Sequence, residues 1–270
     1  MTPLDTADAM ELLRNGELDI EGRLADASNT TLRAVITYNG VTARCVYKPI
    51  RGERPLWDFP DGTLAGREVS AYLVGAATGW APVPPTVLRE GPLGPGMCQL
   101  WIDEADPDDD HAPEPLLGFV PRKRVPHGWH RIASAQDEDG RPYVLAHADD
   151  PRLARLAAFD CVINNADRKG GHVLQAGDHI YGVDHGVCFH VEPKLRTVLW
   201  GFIGHPLPDD VTEVLRKLRV NLDGTLGEAL SDHLMIAEIA EMSTRVDRLL
   251  ADCCFPAPSG DWPAVPWPPI

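Results

Sequence analysis

Partway along the 270 residues the pattern changes from short β-type runs to helical periodicity, and the two kinds hardly mix. A first helical segment over residues 5–15 has Asp5 or Thr6 as its cap and Gly16 as its stop. Three runs rich in β-branched residues follow: LDIEGRLA, TLRAVITYN and ARCVYKPI. Asn39-Gly40, between the last two, is a strong signal for a two-residue hairpin. A helix over 63–77 puts Val69, Tyr72 and Leu73 on one face, and Gly79 with the prolines at 82, 84 and 85 ends it. Two more strands are expected over 84–89 and 96–103. Helical periodicity then takes over at 152–164 and at 228–251, with a short hairpin between them at 172–174 and 180–183. In the long helix, Met235, Ile239, Met242, Val246 and Leu249 recur at three- and four-residue steps. Residues 111–150, rich in proline, charge and histidine, fit neither period.

Such segregation predicts an α+β fold of two lobes. The N-terminal lobe, over 1–103, is built on an antiparallel sheet. The C-terminal lobe, over 104–255, is mainly helical, and a proline-rich tail at 256–270 is extended, packed on the surface or disordered. Ligand binding is expected in the cleft between the lobes.

Charge narrows the partners. The formal net charge of -15 opposes nucleic acid and anionic headgroups except where basic residues cluster, as in Arg122, Lys123 and Arg124. The acidic run at 103–110 reads as a solvated loop. None of the six cysteines forms a C-x-x-C pair, so neither a zinc ribbon nor a redox motif is indicated. No apolar run is long enough to span a bilayer and the start lacks a secretory pattern, so a cytoplasmic protein is expected.

Two acidic residues sit on loops next to buried elements: Asp167 in INNADRKGGHVL and Asp184 in GVDHG. Phosphoryl transfer needs such a pair, one carboxylate to orient the attacking oxygen and one to hold magnesium against the phosphates. It also needs a fixed cation. Lys48 in the strand RCVYKPI, paired with Glu68 in the helix AGREVSAYL, would supply it. Each residue alone is unremarkable; their order and spacing together carry the reading.

The runs VYKPIRGERPLWDF, GREVSAYLV, CQLWID, INNADRKGGHVL and YGVDHGVCF resemble the type II phosphatidylinositol 4-kinases and the wider phosphatidylinositol 3-/4-kinase-like group, and most of all an actinobacterial branch of it. The resemblance spans roughly residues 20 to 250 and implies a protein-kinase-like fold, ATP as donor and Mg²⁺ or Mn²⁺ as cofactor. It implies that Lys48 contacts the phosphates with Glu68 as its partner, and that Gln99, Leu100, Trp101 and Ile102 form the linker that cradles adenine. By the same likeness Asp167 is the catalytic aspartate, Asp184 the metal-binding one, and Ser28 and Asn29 lie in the loop over the phosphates. That loop lacks the glycines of protein kinases.

One position departs from the group. His172 stands where an asparagine usually binds the second magnesium. An imidazole suits Mn²⁺ and softer ions better than Mg²⁺, and with an unperturbed side chain it loses them near pH ~6.5. Either His172 binds such an ion, or one metal suffices, or activity is lost. The acceptor hydroxyl (lipid, protein or small molecule) is left open. A nucleotide-binding pseudokinase that regulates a partner is the main alternative. Metal-dependent hydrolysis is weaker, for lack of an H-x-H or H-E-x-x-H pair.

Overall fold

Asp5 begins the first helix, α1 (Thr6–Asn15), by accepting from the Asp8 N–H at 2.8 Å. These coordinates are a computed structural model that describes residues 4–24, 29–60, 62–104 and 113–270. Gly16 follows α1 because a Cβ there would lie 2.5 Å from Ile36. Strands β1 (Glu17–Arg23), β2 (Leu32–Tyr38), β3 (Val41–Pro49), β4 (Thr86–Gly91) and β5 (Gly94–Leu100) form one antiparallel sheet in the order β1-β2-β3-β5-β4. Asn39 and Gly40 have φ of 48° and 79°, the positive pair that a tight hairpin turn needs.

Period-two alternation gives this sheet two different faces. Cys45, Ala34 and Ile36 face α1, whose Leu12 and Leu13 pack on them. Lys48 pairs across to Met97, and Met97 packs with Ala65 and Val69 of α2 (Leu64–Thr78) on the other face. Thr63 caps α2 through Gly66 N at 2.9 Å, and Gly79 ends it at φ 73°. Glu53 completes the cap, its carboxylate accepting from Leu64 N and Ala65 N at 3.0 and 2.8 Å. Most of α2 is buried, and Arg67 of α2 meets Glu238 at 2.7 Å.

The region that fitted neither period is a second sheet. Strands β6 (Leu117–Pro121), β7 (Trp129–Gln136) and β8 (Pro142–Ala148) pair antiparallel in the order β6-β8-β7. The short hairpin is β9 (Val173–Ala176) with β10 (His179–Gly182). Helices α3 (Pro151–Ile163), α4 (Asp209–Leu222), α5 (Thr225–Leu230) and α6 (Ile236–Asp252) complete the larger core, in which Phe159, Leu215 and Met242 are buried. Two helix expectations need correction. The helix over 209–222 was not foreseen. The expected single helix over 228–251 is two, α5 and α6, because Glu238 turns back to accept from Met235 N at 3.0 Å and starts a new helix there. The apolar spacing runs on across the break and conceals it.

The tail has no regular structure but is packed. Ala264 O accepts from Thr197 N and Trp200 Nε1, and Pro269 O accepts from Gly170 N at 2.7 Å. Lys194 pairs with Asp58 at 3.0 Å and lies over the Trp262 ring at 4.3 Å. Among the described residues, no helix is long and apolar enough to cross a membrane. The α+β fold, with an antiparallel-sheet lobe followed by helices, is the one expected from the sequence.

His147 of β8 is fully buried, with its ring 4.7 Å from that of Phe202 and 5.4 Å from that of His130. Its Nδ1 donates to Ala148 O at 2.8 Å. Burial pushes its pKa down to about 4, the Ala148 bond opposes that, His130 reinforces it and Asp149 opposes it. The folded pKa lies below the unfolded one, so stability is complete above pH ~6.5 and falls as pH drops toward 4, by about 3 kcal/mol. Urea denaturation of wild type and His147→Leu at pH 7 and pH 4 measures this. The variant is expected to lose less stability on acidification; equal losses would remove His147 as the cause.

Candidate active site

Four chain segments deliver charged groups to one cleft of about 650 Å³. β3 presents Lys48 on the face that α2 covers, opposite in sense to buried Tyr47. α2 presents Glu68 from its buried side. α3 ends at Asn164, whose φ of 52° and side-chain bonds to His190 O and Glu192 O stop the helix and turn the chain. Asn165 Oδ1 then accepts from Asp167 N at 2.9 Å, which folds the loop that carries Asp167. After β10 the chain reaches Asp184 at φ 61°, an uncommon conformation for a residue other than glycine.

Lys48 Nζ joins two carboxylates, 2.6 Å from Glu68 Oε1 and 2.8 Å from Asp184 Oδ1. Burial disfavours the charge on Lys48, but Asp184 and Glu68 outweigh it and raise the ammonium above its ordinary range. Lys48 in turn holds the Asp184 carboxyl well below the usual carboxylate range, against burial. Solvent tempers this, since the Asp184 side chain is 52% exposed to the cleft. Burial pushes the Glu68 carboxyl up, and Lys48 and the His185 N–H pull it back only in part.

Asp167 lines the same cleft, with Lys169 Nζ 3.1 Å from its Oδ2. His172 follows on a single 3₁₀ turn, Gly170–His172. Its Nδ1 lies 3.1 Å from Asp167 O, and a carbonyl only accepts, so Nδ1 carries the hydrogen. In the neutral ring Nε2 then has a lone pair, 3.5 Å from Asp184 Oδ2. Burial lowers the His172 pKa, Asp184 raises it and Arg168 lowers it, with a net decrease. The expected acid loss near pH ~6.5 is therefore moved to lower pH.

These donors bear on the metal expected from the sequence. Among the described residues, no group of three or more His, Cys, Asp and Glu side chains forms a metal site. One carboxylate and one imidazole nitrogen face each other at the cleft, the few protein ligands that a nucleotide-bound divalent ion needs when phosphate oxygens and water complete its shell. The nitrogen suits Mn²⁺ better than Mg²⁺. The residues present fit such an ion.

The expected nucleotide contacts have varied placements. Leu100, Trp101 and Ile102 line the cleft and are half-buried. Gln99 also lines it, but its side chain is buried and donates to Thr86 Oγ1 at 2.8 Å, so it faces the sheet. Asn29 lines the cleft and accepts from Arg54 N at 2.9 Å. Ser28 lies outside the described residues. Lys169, Arg54 and Glu53 also line the cleft and were not singled out from the sequence. For Lys169 the signal was its place two residues after Asp167. For Arg54 and Glu53 no local pattern marked them.

The fold is similar to that of the Golgi casein kinase solved with Mn/ADP bound, at TM-score 0.53 and 14% identity, over 92% of this chain and 75% of that one. A proinflammatory kinase of Helicobacter pylori, CtkA, aligns at TM-score 0.44 and 12% identity, over 90% of this chain and 94% of that one. No family model matches the sequence. Protein Rv2133c of Mycobacterium tuberculosis is 49% identical over 265 residues, 97% of this chain and 95% of that protein. The chain therefore belongs to the family of Mycobacterium tuberculosis protein Rv2133c.

Proposed function

We propose that this protein is an ATP-dependent phosphotransferase of the phosphatidylinositol 3-/4-kinase-like type. The carrying observation is Lys48 Nζ between Glu68 and Asp184 in a cleft that Asp167 also lines. Lys48 neutralises phosphate charge, and Glu68 fixes its position. Asp167 takes the proton of an acceptor hydroxyl while that oxygen bonds to the γ-phosphorus and the bond to the departing ADP oxygen breaks. Lys169, next to Asp167, supplies a second positive charge on that side. Leu100, Trp101 and Ile102 hold the base, and Asn29 lies toward the phosphates. Asp184 and His172 would hold Mn²⁺ or Mg²⁺, which when bound offsets charge on the phosphates. The likeness to a kinase solved with Mn/ADP supports nucleotide and metal as ligands. All six cysteines are free, which fits a reducing, cytoplasmic setting. The acceptor is a hydroxyl of a lipid, a protein or a small molecule.

ATP turnover by purified wild type and His172→Asn, with Mn²⁺ or Mg²⁺ and across pH, tests the reading. Wild type is expected to prefer Mn²⁺ and to lose activity below the ordinary histidine range, because protonation removes the lone pair and burial has lowered the pKa. His172→Asn is expected to shift preference toward Mg²⁺ and to flatten the acid limb. Matching metal preference and pH profiles in the two proteins would eliminate His172 as a ligand. Nucleotide binding without turnover under any of these conditions would favour the second reading, a nucleotide-binding regulator, for which the histidine at 172 is the specific observation.

A further inference from the structure

Arg168, next to Asp167 in sequence, points away from the cleft and is fully buried. Its Nε and Nη2 bond Asp160 at 3.0 and 2.9 Å, and Nη2 also lies 2.7 Å from His185 Nε2. Its Nη1 donates to Val183 O at 3.0 Å and to His172 O at 3.2 Å. A guanidinium only donates, so His185 Nε2 accepts and the ring hydrogen is on Nδ1, 3.9 Å from Glu68 Oε2. The His185 backbone N–H donates to that same Glu68 oxygen at 2.9 Å. Gly182 makes room for the guanidinium: a Cβ there would lie 2.7 Å from Nη2.

Apart from Asp160, every group tied to the Arg168 guanidinium borders the Asp184–His172 pair. Val183 precedes Asp184 and His185 follows it. The third tie is the carbonyl of His172 itself. Asp184 is held at positive φ between two anchored neighbours. The Arg168 guanidinium, which can only donate, faces His185 Nε2 and so selects the ring's acceptor side.

We propose that Arg168 and His185 are positioning residues that set the separation of Asp184 from His172 and from Lys48. What that pair holds rests on the phosphotransferase reading; how it is held does not. Arg168 orders the carbonyls on both sides of the site, and His185 links that order to Glu68 and so to Lys48.

Full-length His185→Leu removes the acceptor and leaves Arg168 paired with Asp160. His185→Asn, too short to reach Arg168, is the second variant in case the leucine does not fold. His185→Gln restores an acceptor at similar reach. Crystal structures read the geometry directly. In the leucine or asparagine variant, Asp184 is expected to leave Lys48 and His172, breaking contacts that are 2.8 and 3.5 Å in the wild type. Mn²⁺ affinity with ADP present, measured by electron paramagnetic resonance of free Mn²⁺, is expected to weaken about tenfold or more, as for other groups that orient metal ligands. ADP affinity without metal is expected to hold, and glutamine is expected to recover most of the loss. A folded variant with wild-type Asp184 placement and Mn²⁺ affinity overturns the proposal. Should wild type bind no Mn²⁺ with ADP, the phosphotransferase reading fails, and the Asp184 placement alone decides the present one.

Discussion

Asp167→Asn is expected to abolish most ATP turnover while nucleotide binding survives. Asp167 is half-buried and, among the described residues, its side chain pairs with Lys169, so the fold tolerates the change. Loss of a positioned base costs about 10²–10⁴-fold in rate. Asp184→Asn is expected to act one step earlier. It removes charge from the group that pairs with Lys48 and that, on the proposed reading, would hold a metal ion, so stabilisation by ATP with Mn²⁺ should disappear. That stabilisation is about 2.7 kcal/mol at a ligand concentration a hundred times Kd. Thermal-shift titration and turnover of both variants separate the roles. Wild-type turnover in Asp167→Asn would remove it as the base, and an unchanged ligand shift in Asp184→Asn would remove it from the site.

Asp160→Ala is expected to cost about 3–5 kcal/mol, because it leaves the Arg168 charge buried without its carboxylate. Both side chains are at 0% exposure, so water cannot take over without opening the loop. Combining Asp160→Leu with Arg168→Met is expected to regain much of that stability, since apolar residues of similar size can replace a buried pair. The double variant is still expected to misplace Asp184, because no donor remains for Val183 O and His172 O. Urea denaturation at pH 7 measures both. A cost below about 1 kcal/mol for Asp160→Ala would mean that another group neutralises Arg168.

Legibility in the sequence followed the locality of the physics. The N-terminal sheet announced itself through Asn39-Gly40 and through alternation such as that of β2, where Leu32, Ala34 and Ile36 are buried. The cap of α1 is a short-range device and was narrowed to Asp5 or Thr6, whereas Thr63, taken as the first residue of the second helix, is its cap. β7 was not readable, since none of its residues is fully buried and a bulge between Arg131 and Ala133 breaks the period of two. In the site, Lys48, Glu68, Asp167 and Asp184 stood in runs of recognisable order. Arg168 was in plain view, but nothing local says that it turns inward to Asp160. That choice depends on α3, β10 and the loop after β10 meeting around one guanidinium. Glu53 is similar, since its role as a cap on α2 joins residues 11 and 12 positions apart.

The packed tail has a consequence for the order of synthesis. Everything that builds the first sheet and α2 lies within residues 6–100 and can pair as soon as it leaves the ribosome. The loop holding Asp167 is different: its Gly170 N–H finds its acceptor only in Pro269, and the strand-like partner of Arg168, Thr197, waits for Ala264. A nascent chain therefore pairs its first sheet before Ala264 and Pro269 are available to brace the loop. The bracing of that loop is thus a late, long-range event, set by residues far along the chain rather than by the early sheet.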